Sequence, residues 1–176
     1  MYSKEIPIKE GVNVDIEGNM IKVIGSKGEI KKEIKLMFDI KVQKQDNKIL
    51  VVAESSERKA KALVGTIIAH IRNMMRGVTE GYAYKMKIVY SHFPMTVKVE
   101  GNKVVTQNFI GERTSRTGNI VGKTQVKIDG QDITVSGINL EEVGETASNI
   151  ELSCRITGYD KRRFSDGIYL IQGKSK

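Results

Sequence analysis

The sequence predicts an α+β protein of two tandem similar domains, each an antiparallel or mixed β-sheet packed with one main α-helix. Three observations predict it. The chain repeats itself: Val14, Glu17, Gly18 and Asn19 fall on Val97, Glu100, Gly101 and Asn102. Each repeat continues into two short strand-like segments. Each then closes on apolar residues at three- and four-residue steps. The 176 residues suffice for one ordinary domain or two small ones.

Taken in order, Val12 to Ile21 alternates apolar and polar residues around Gly18-Asn19, which reads as a β-hairpin. Gly28-Glu29 follows, and falls without a gap on Gly111-Glu112. Ile40 to Gln45 and Lys48 to Ala53 read as strands around Asp46-Asn47. Ala60, Leu63, Ile67, Ile71, Met74 and Val78 then mark one face of a helix, with Arg58, Lys61, Arg72, Asn73 and Arg76 opposite. Ser55 or Ser56 is a candidate cap, and Gly77 lies near the end. Tyr82, Tyr84, Met86, Ile88 and Tyr90 alternate as a long strand leaving the first domain, and Pro94 holds Phe93 extended.

The second copy begins with Met95 to Val104. Gln125 to Asp129 and Asp132 to Ser136 are its strand pair around Gly130-Gln131. Val143, Ala147, Ile150 and Cys154 form its helix stripe, with Asn139 and Glu142 spaced as a capping box. The expected division is residues 1–80, a connecting strand and boundary over 81–94, and a second repeat over 95–176.

Composition removes several functions. A single cysteine, Cys154, leaves no intramolecular disulfide or multi-cysteine zinc site, and fits a reduced, intracellular compartment. Two histidines nearly exclude multi-histidine metal chemistry. The apolar runs Ile49 to Ala53 and Leu63 to Ala69 are too short to span a bilayer. Met1 to Lys9 has no signal-peptide core. The expectation is a protein without cofactor, metal, membrane partner or small-molecule substrate.

The net charge of +8 and pI near 9.5 favour a polyanionic partner, nucleic acid ahead of membrane. Both halves carry +4, so arrangement is the discriminating signal. Five of the eight arginines, Arg113, Arg116, Arg155, Arg162 and Arg163, lie in the second half. They concentrate in Gly111 to Gly118, which Lys123 extends, and in Tyr159 to Phe164, which includes Lys161. A guanidinium fork bonds phosphate oxygens bidentately and is weakly hydrated. Loops let such forks follow an irregular RNA backbone, with Thr114, Ser115 and Thr117 as neutral donors. Phe164 and Tyr159 are candidates for stacking on a base or for packing at a sheet edge. The first helix's basic face reads equally as a partner surface or a solvated one.

Gly118-Asn-Ile-Val-Gly122-Lys123-Thr124 approaches a phosphate-binding loop but has three residues between glycines where four are needed. A strand pattern follows it where a helix is required. Glu141, Glu142 and Glu145 fall in the first turns of a helix, where they serve its dipole. An RNA-processing or nucleotide-using enzyme, built on Lys123, His70 and His92, is the competing reading.

Two long stretches carry a resemblance. Asn73-Met-Met-Arg-Gly77-Val-Thr-Glu-Gly81-Tyr-Ala-Tyr-Lys-Met-Lys-Ile-Val-Tyr90-Ser-His-Phe-Pro94 is similar to the family of the sixth protein of the large ribosomal subunit. Arg162-Arg-Phe-Ser-Asp166-Gly-Ile-Tyr169 resembles the ending of its archaeal and eukaryotic branch. Val23 to Glu29 resembles the family's Gly-Pro-Lys-Gly loop, with Ser26 at the proline position. The resemblance implies two similar α+β domains and no enzymatic activity. It implies a structural constituent, cytoplasmic and ribosome-bound, that contacts large-subunit rRNA and neighbouring ribosomal proteins. It places the protein near the sarcin–ricin loop and the docking region of translational GTPases, with the second domain as the main RNA binder. The implied RNA signature falls on Arg162, Arg163, Phe164, Asp166 and Tyr169. Asp166 repels phosphate and is expected to shape a turn, and Tyr169 to pack by alternation with Ile171. Arg113, Arg116, Lys123 and Arg155 are added from charge placement alone.

Overall fold

The computed structural model describes residues 2–34, 40–55, 57–160 and 162–173. It divides into two units, Met1–Gly81 and Tyr82–Lys176. The first contains β1 (Tyr2–Pro7), β2 (Asn13–Glu17), β3 (Met20–Gly25), β4 (Gly28–Glu33), β5 (Ile40–Gln45), β6 (Lys48–Ala53) and α1 (Arg58–Thr79). Its strands form two small antiparallel sheets, β1-β6-β5 and β2-β3-β4. α1 packs against β1, β3, β4 and β6.

The second unit contains β7 (Tyr82–Val89), β8 (Thr96–Glu100), β9 (Lys103–Gln107), β10 (Arg116–Asn119), β11 (Gln125–Asp129), β12 (Asp132–Gly137), α2 (Leu140–Ser153) and β13 (Gly167–Gln172). Its sheets, β11-β12-β7-β13 and β10-β9-β8, are also antiparallel. The stretch expected to connect the domains is therefore an inner strand. β7 pairs with β12 on one side and β13 on the other. It is the counterpart of β1: Tyr2 faces Ala53 and Ile6 faces Ile49, while Tyr82 faces Gly137 and Met86 faces Ile133.

The hairpins fall where the turn residues put them. Gly18 and Gly101 each take φ of 59°, a left-handed turn conformation that costs glycine little. The helix stripes also fall as predicted, with one shift. Ala60, Val64, Ile67 and Ile71 are buried, so Val64 takes the place expected for Leu63, which is half-buried. Val143, Ala147 and Ile150 of α2 and Cys154 just past its end are buried at the matching positions. The Cys154 thiol donates to Thr106 Oγ1 at 3.5 Å, a packed structural role.

The caps differ between the helices. Asn139 Oδ1 accepts the Glu141 N–H at 3.1 Å, and its Nδ2 donates to Glu142 Oε1 at 3.0 Å. The expected pair thus closes side chain to side chain. α1 begins after Glu57 without a side-chain cap, and the Ser55 hydroxyl instead accepts the Glu57 N–H at 3.2 Å. Ser56 lies outside the described residues.

The gapless match of Gly28-Glu29 to Gly111-Glu112 does not hold in three dimensions. β3 turns directly into β4, with Gly25 opposite Gly28. Between β9 and β10 the chain inserts a longer loop, with a short 3-10 turn at Phe109–Gly111. Asn108 and Ile110 take φ of 59° and 50° there. A β-branched residue with positive φ is costly, and persists where surrounding contacts over-determine it. Here Phe109 and Ile110 are buried beneath the loop.

Candidate nucleic-acid interface

The predicted basic residues of the second unit form two groups. Lys123 stands beside the first turn of α2, where its backbone N–H donates to Glu142 Oε2 at 3.1 Å. Arg155 follows the opposite end of that helix. Fourteen helical residues span about 21 Å, so one short phosphate segment does not reach both. Lys161 lies outside the described residues.

Arg116 is placed differently from expectation. Its Nε and Nη2 donate to the two Glu112 oxygens at 2.8 and 2.6 Å. Its Nη1 donates to the carbonyls of Ser153 at 3.2 Å and Arg155 at 2.9 Å. Its guanidinium also lies 4.3 Å from the Phe109 ring centroid. The donors are spent inside the protein, because a fork held by a carboxylate and two carbonyls has little left for phosphate. The Arg116 hydrogen bonds hold Glu112 below the ordinary carboxylate range, with burial opposing them. Arg116 is a positioning residue that ties the inserted loop to the end of α2.

Arg113, on that loop, is exposed. Arg162 and Arg163 are exposed on a turn organised by Asp160. Asp160 Oδ1 accepts the Arg162 N–H, and Asp160 O accepts those of Arg163 and Phe164, all at 3.0 Å. The side chains of Arg113, Arg155, Arg162 and Arg163 have no hydrogen-bond or ion-pair partner among the described residues.

Phe164 points inward. It is half-buried against the core, 4.8 Å from the His92 ring and 4.9 Å from that of Tyr159. Packing explains it, and a base would reach only what remains exposed. Asp166, expected to shape a turn with Gly167, instead precedes β13 directly and anchors a distant segment. It is fully buried, and its Oδ1 accepts the Ser91 N–H at 3.1 Å and the Ser91 hydroxyl at 2.9 Å. Burial pushes its pKa up. The hydrogen bonds of Ser91, the His92 backbone and the His92 charge outweigh burial and hold it below the ordinary value. Tyr169 and Ile171 depart from the expected packing: both are exposed on β13, while Gly167 and Ile168 are its buried residues. The Tyr169 hydroxyl donates to Ser165 O at 3.0 Å.

On α1, Arg76 donates to Glu80 at 2.8 Å, and Lys61 lies 5.7 Å from the Tyr2 ring centroid. Arg58 and Arg72 are exposed.

Sequence reasoning missed Asp160, Ser91 and Glu112, which hold the arginine loops in place. The four-residue spacing of Glu112 and Arg116 and the two-residue spacing of Asp160 and Arg162 were the available signals.

The competing catalytic set does not assemble. Gly118 to Thr124 runs from β10 through a turn toward β11, with no helix after it. The Glu142 carboxylate already occupies the anion position beside α2, and a Cβ on Gly122 would collide with it. His92 belongs to the Ser91 and Asp166 cluster, with Nδ1 2.9 Å from Ser91 Oγ. His70 lies on α1 with Nδ1 3.1 Å from Lys32 Nζ.

The profile of the ribosomal protein L6 family matches the chain twice, over residues 8–81 and 93–167. The chain belongs to the ribosomal protein L6 family. It is 52% identical to the large ribosomal subunit protein uL6 of Sulfurisphaera tokodaii, over 96% of this chain and 91% of the relative. It is 48% identical to that of Methanocella arvoryzae, over 95% and 94%, and 44% identical to that of Methanothrix thermoacetophila, over 96% of each. Each family match lies within one of the two α+β units, and L6 proteins are structural ribosomal components, not enzymes.

Proposed function

We propose that this L6 protein helps build the large ribosomal subunit by gripping large-subunit rRNA with its second unit, near the sarcin–ricin loop and the docking region of translational GTPases. The observation that carries this reading is the Arg162-Arg163 turn. Two guanidiniums without a partner among the described residues stand on a backbone fixed by Asp160 on one side and by buried Asp166 on the other. Ordering is thus completed before RNA arrives, so less conformational freedom is lost on binding. Arg113 and Arg155 extend the same grip, and Lys123 makes a separate phosphate contact. Affinity comes from phosphate neutralisation, and selectivity from the shape of folded RNA. The exposed Arg58 and Arg72 of α1 face RNA or a neighbouring large-subunit protein.

Replacing Arg162 and Arg163 together by alanine tests the reading. Binding of a large-subunit rRNA transcript is expected to weaken, and the slope of log affinity against log salt to fall by about 1.4 to 1.8. Circular dichroism should not change, since both side chains are exposed and neither has a partner among the described residues. An unchanged salt slope with intact fold would remove this turn from the interface.

A further inference from the structure

The end of α2 and the start of β13 enclose an open groove of about 320 Å³ beside the Arg162-Arg163 turn. Its floor is apolar, made by the buried Cys154, Ile156 and Ile168. Leu152 and Tyr169 stand on its rim, 58% and 42% exposed. Apolar surface left open on a strongly basic protein marks a contact site. The volume lies at the small end of the range for ligand sites, about 300–1,000 Å³. That is room for one nucleotide and not for a helix.

The polar groups on the groove have a distinct arrangement. Arg155 offers an exposed guanidinium without a partner among the described residues. Glu151, on α2, offers an acceptor. Both neighbourhoods are fixed in advance. Arg116 Nη1 holds the Ser153 and Arg155 carbonyls. The Tyr169 ring lies over Gly167, and its hydroxyl is anchored to Ser165 O. Burial, then the Asp166 and Glu151 charges, push the Tyr169 phenol above its ordinary value, so it remains neutral.

We infer that this groove receives one unstacked RNA nucleotide, its base against Leu152, Phe164 and Tyr169, its phosphate on Arg155, and its exocyclic amino group donating to Glu151. The inference rests on the RNA-binding reading and gives it a base-reading element. Charge decides for RNA over an apolar protein side chain. Arg155 lines the groove, and Arg162 and Arg163 immediately precede Phe164 in its wall. A phosphate chain crossing that turn delivers a base to the groove, where aromatic and apolar faces stack it without regard to identity. Glu151 then discriminates. A carboxylate accepts from the amino groups of adenine, cytosine and guanine, whereas uracil presents carbonyl oxygens there.

The test titrates the full-length, 15N-labelled chain with the trinucleotides AAA, CCC and UUU, following backbone amides by NMR. Shifts are expected at residues 151–156 and 164–169, with AAA and CCC about tenfold tighter than UUU. Glu151→Gln should reduce that preference to about threefold or less, because the amide also presents donors to uracil. Leu152→Glu, at an exposed position, should abolish the groove shifts. Silence in the groove at millimolar trinucleotide overturns the inference, as do shifts confined to residues 160–163. Equal binding of all three trinucleotides overturns the role of Glu151. Binding of an rRNA transcript, measured in parallel, separates the two failures. Transcript binding with a silent groove removes only the nucleotide site, and no transcript binding at all removes the RNA reading.

Discussion

The two units bury matching helix stripes, Ala60, Val64, Ile67 and Ile71 in one and Val143, Ala147, Ile150 and Cys154 in the other, yet they differ at three places on their margins. Where β3 turns tightly into β4, β9 and β10 are joined by the loop that holds Glu112 and Arg113. Where α1 continues to Thr79, α2 stops at Ser153 and releases the chain that carries Arg155, Arg162 and Arg163. Where β1 has no strand on its outer side among the described residues, β7 is covered by β13. All five arginines of the second unit lie within or at the end of the first two departures. The difference teaches that the duplicated core is common scaffold, and that the arginines of the second unit collect where a helix ends early and a turn is lengthened.

The third departure has a cause in single residues. The Ile8 N–H donates to Asn47 O at 2.9 Å, and the Ile88 N–H to Gln131 O at 2.7 Å. Amide direction alternates along a strand, so the preceding positions, Pro7 and Lys87, face the other edge. Lys87 offers an N–H there and lies opposite Tyr169 of β13. Pro7 has none. A proline on the open side of an edge strand is a known guard against further pairing. The largest expected effect comes from making the two edges alike. Lys87→Pro removes a ladder bond from an inner strand and should cost about 3 kcal/mol in urea unfolding. Amides of β13 should lose hydrogen-exchange protection first. A cost under about 1 kcal/mol with β13 still protected would show that this bond does not hold the added strand.

Arg116 sharpens the comparison at the loop. Arg116→Met keeps bulk over Phe109 but strands the Ser153 and Arg155 carbonyls and frees Glu112. A loss of about 1–2 kcal/mol is expected. RNA binding should fall through disorder of the loop and of Arg155, with the salt slope nearly unchanged. If the salt slope falls by about one while stability holds, Arg116 contacts phosphate directly, as its sequence context suggested.

How much was legible follows from which physics is local. Helix stripes, hairpin turns and the Asn139 cap depend on residues within a few positions, and periodicity located them. β7 was misplaced because alternation marks a strand without naming its partners, and β13 reaches it from some eighty residues downstream. The exposure of Arg113, Arg162 and Arg163 was legible because cations in loops stay exposed. Arg116 and Phe164 were not separated from them, because burial at the end of a loop depends on the whole unit. Asp166, read as a turn former, proved to be a buried anchor because Ser91 lies beside it.

That anchor gives an acid-dependent prediction for the second unit. Asp166 titrates below its ordinary unfolded value of about 3.9. The stability it contributes is therefore present above about pH 4 and is lost as pH falls through the lower, folded pKa. Ser91→Ala removes the hydroxyl bond and leaves the backbone one. At neutral pH it should cost about 1 kcal/mol. Because the Asp166 pKa moves back up, less of the remaining stability should disappear on acidification. Urea midpoints at pH 7 and pH 3 check this, and an equal loss at both would show that the hydroxyl does not favour the ionised carboxylate.

The smallest effect on stability is expected at Pro7. Pro7→Ser restores an outward N–H to β1 without touching a buried contact, since Pro7 is exposed. Monomer stability should change by no more than about 0.5 kcal/mol, largely through greater freedom of the unfolded chain. The informative quantity is association. β1 also carries Lys4 and Glu5, which discourage pairing, so any new contact should be weak and appear only at high protein concentration. Sedimentation equilibrium over a concentration series should detect it in Pro7→Ser and not in the parent chain. If the variant stays monomeric, the flanking charges close the edge by themselves, and the lack of a strand beside β1 among the described residues owes nothing to its proline.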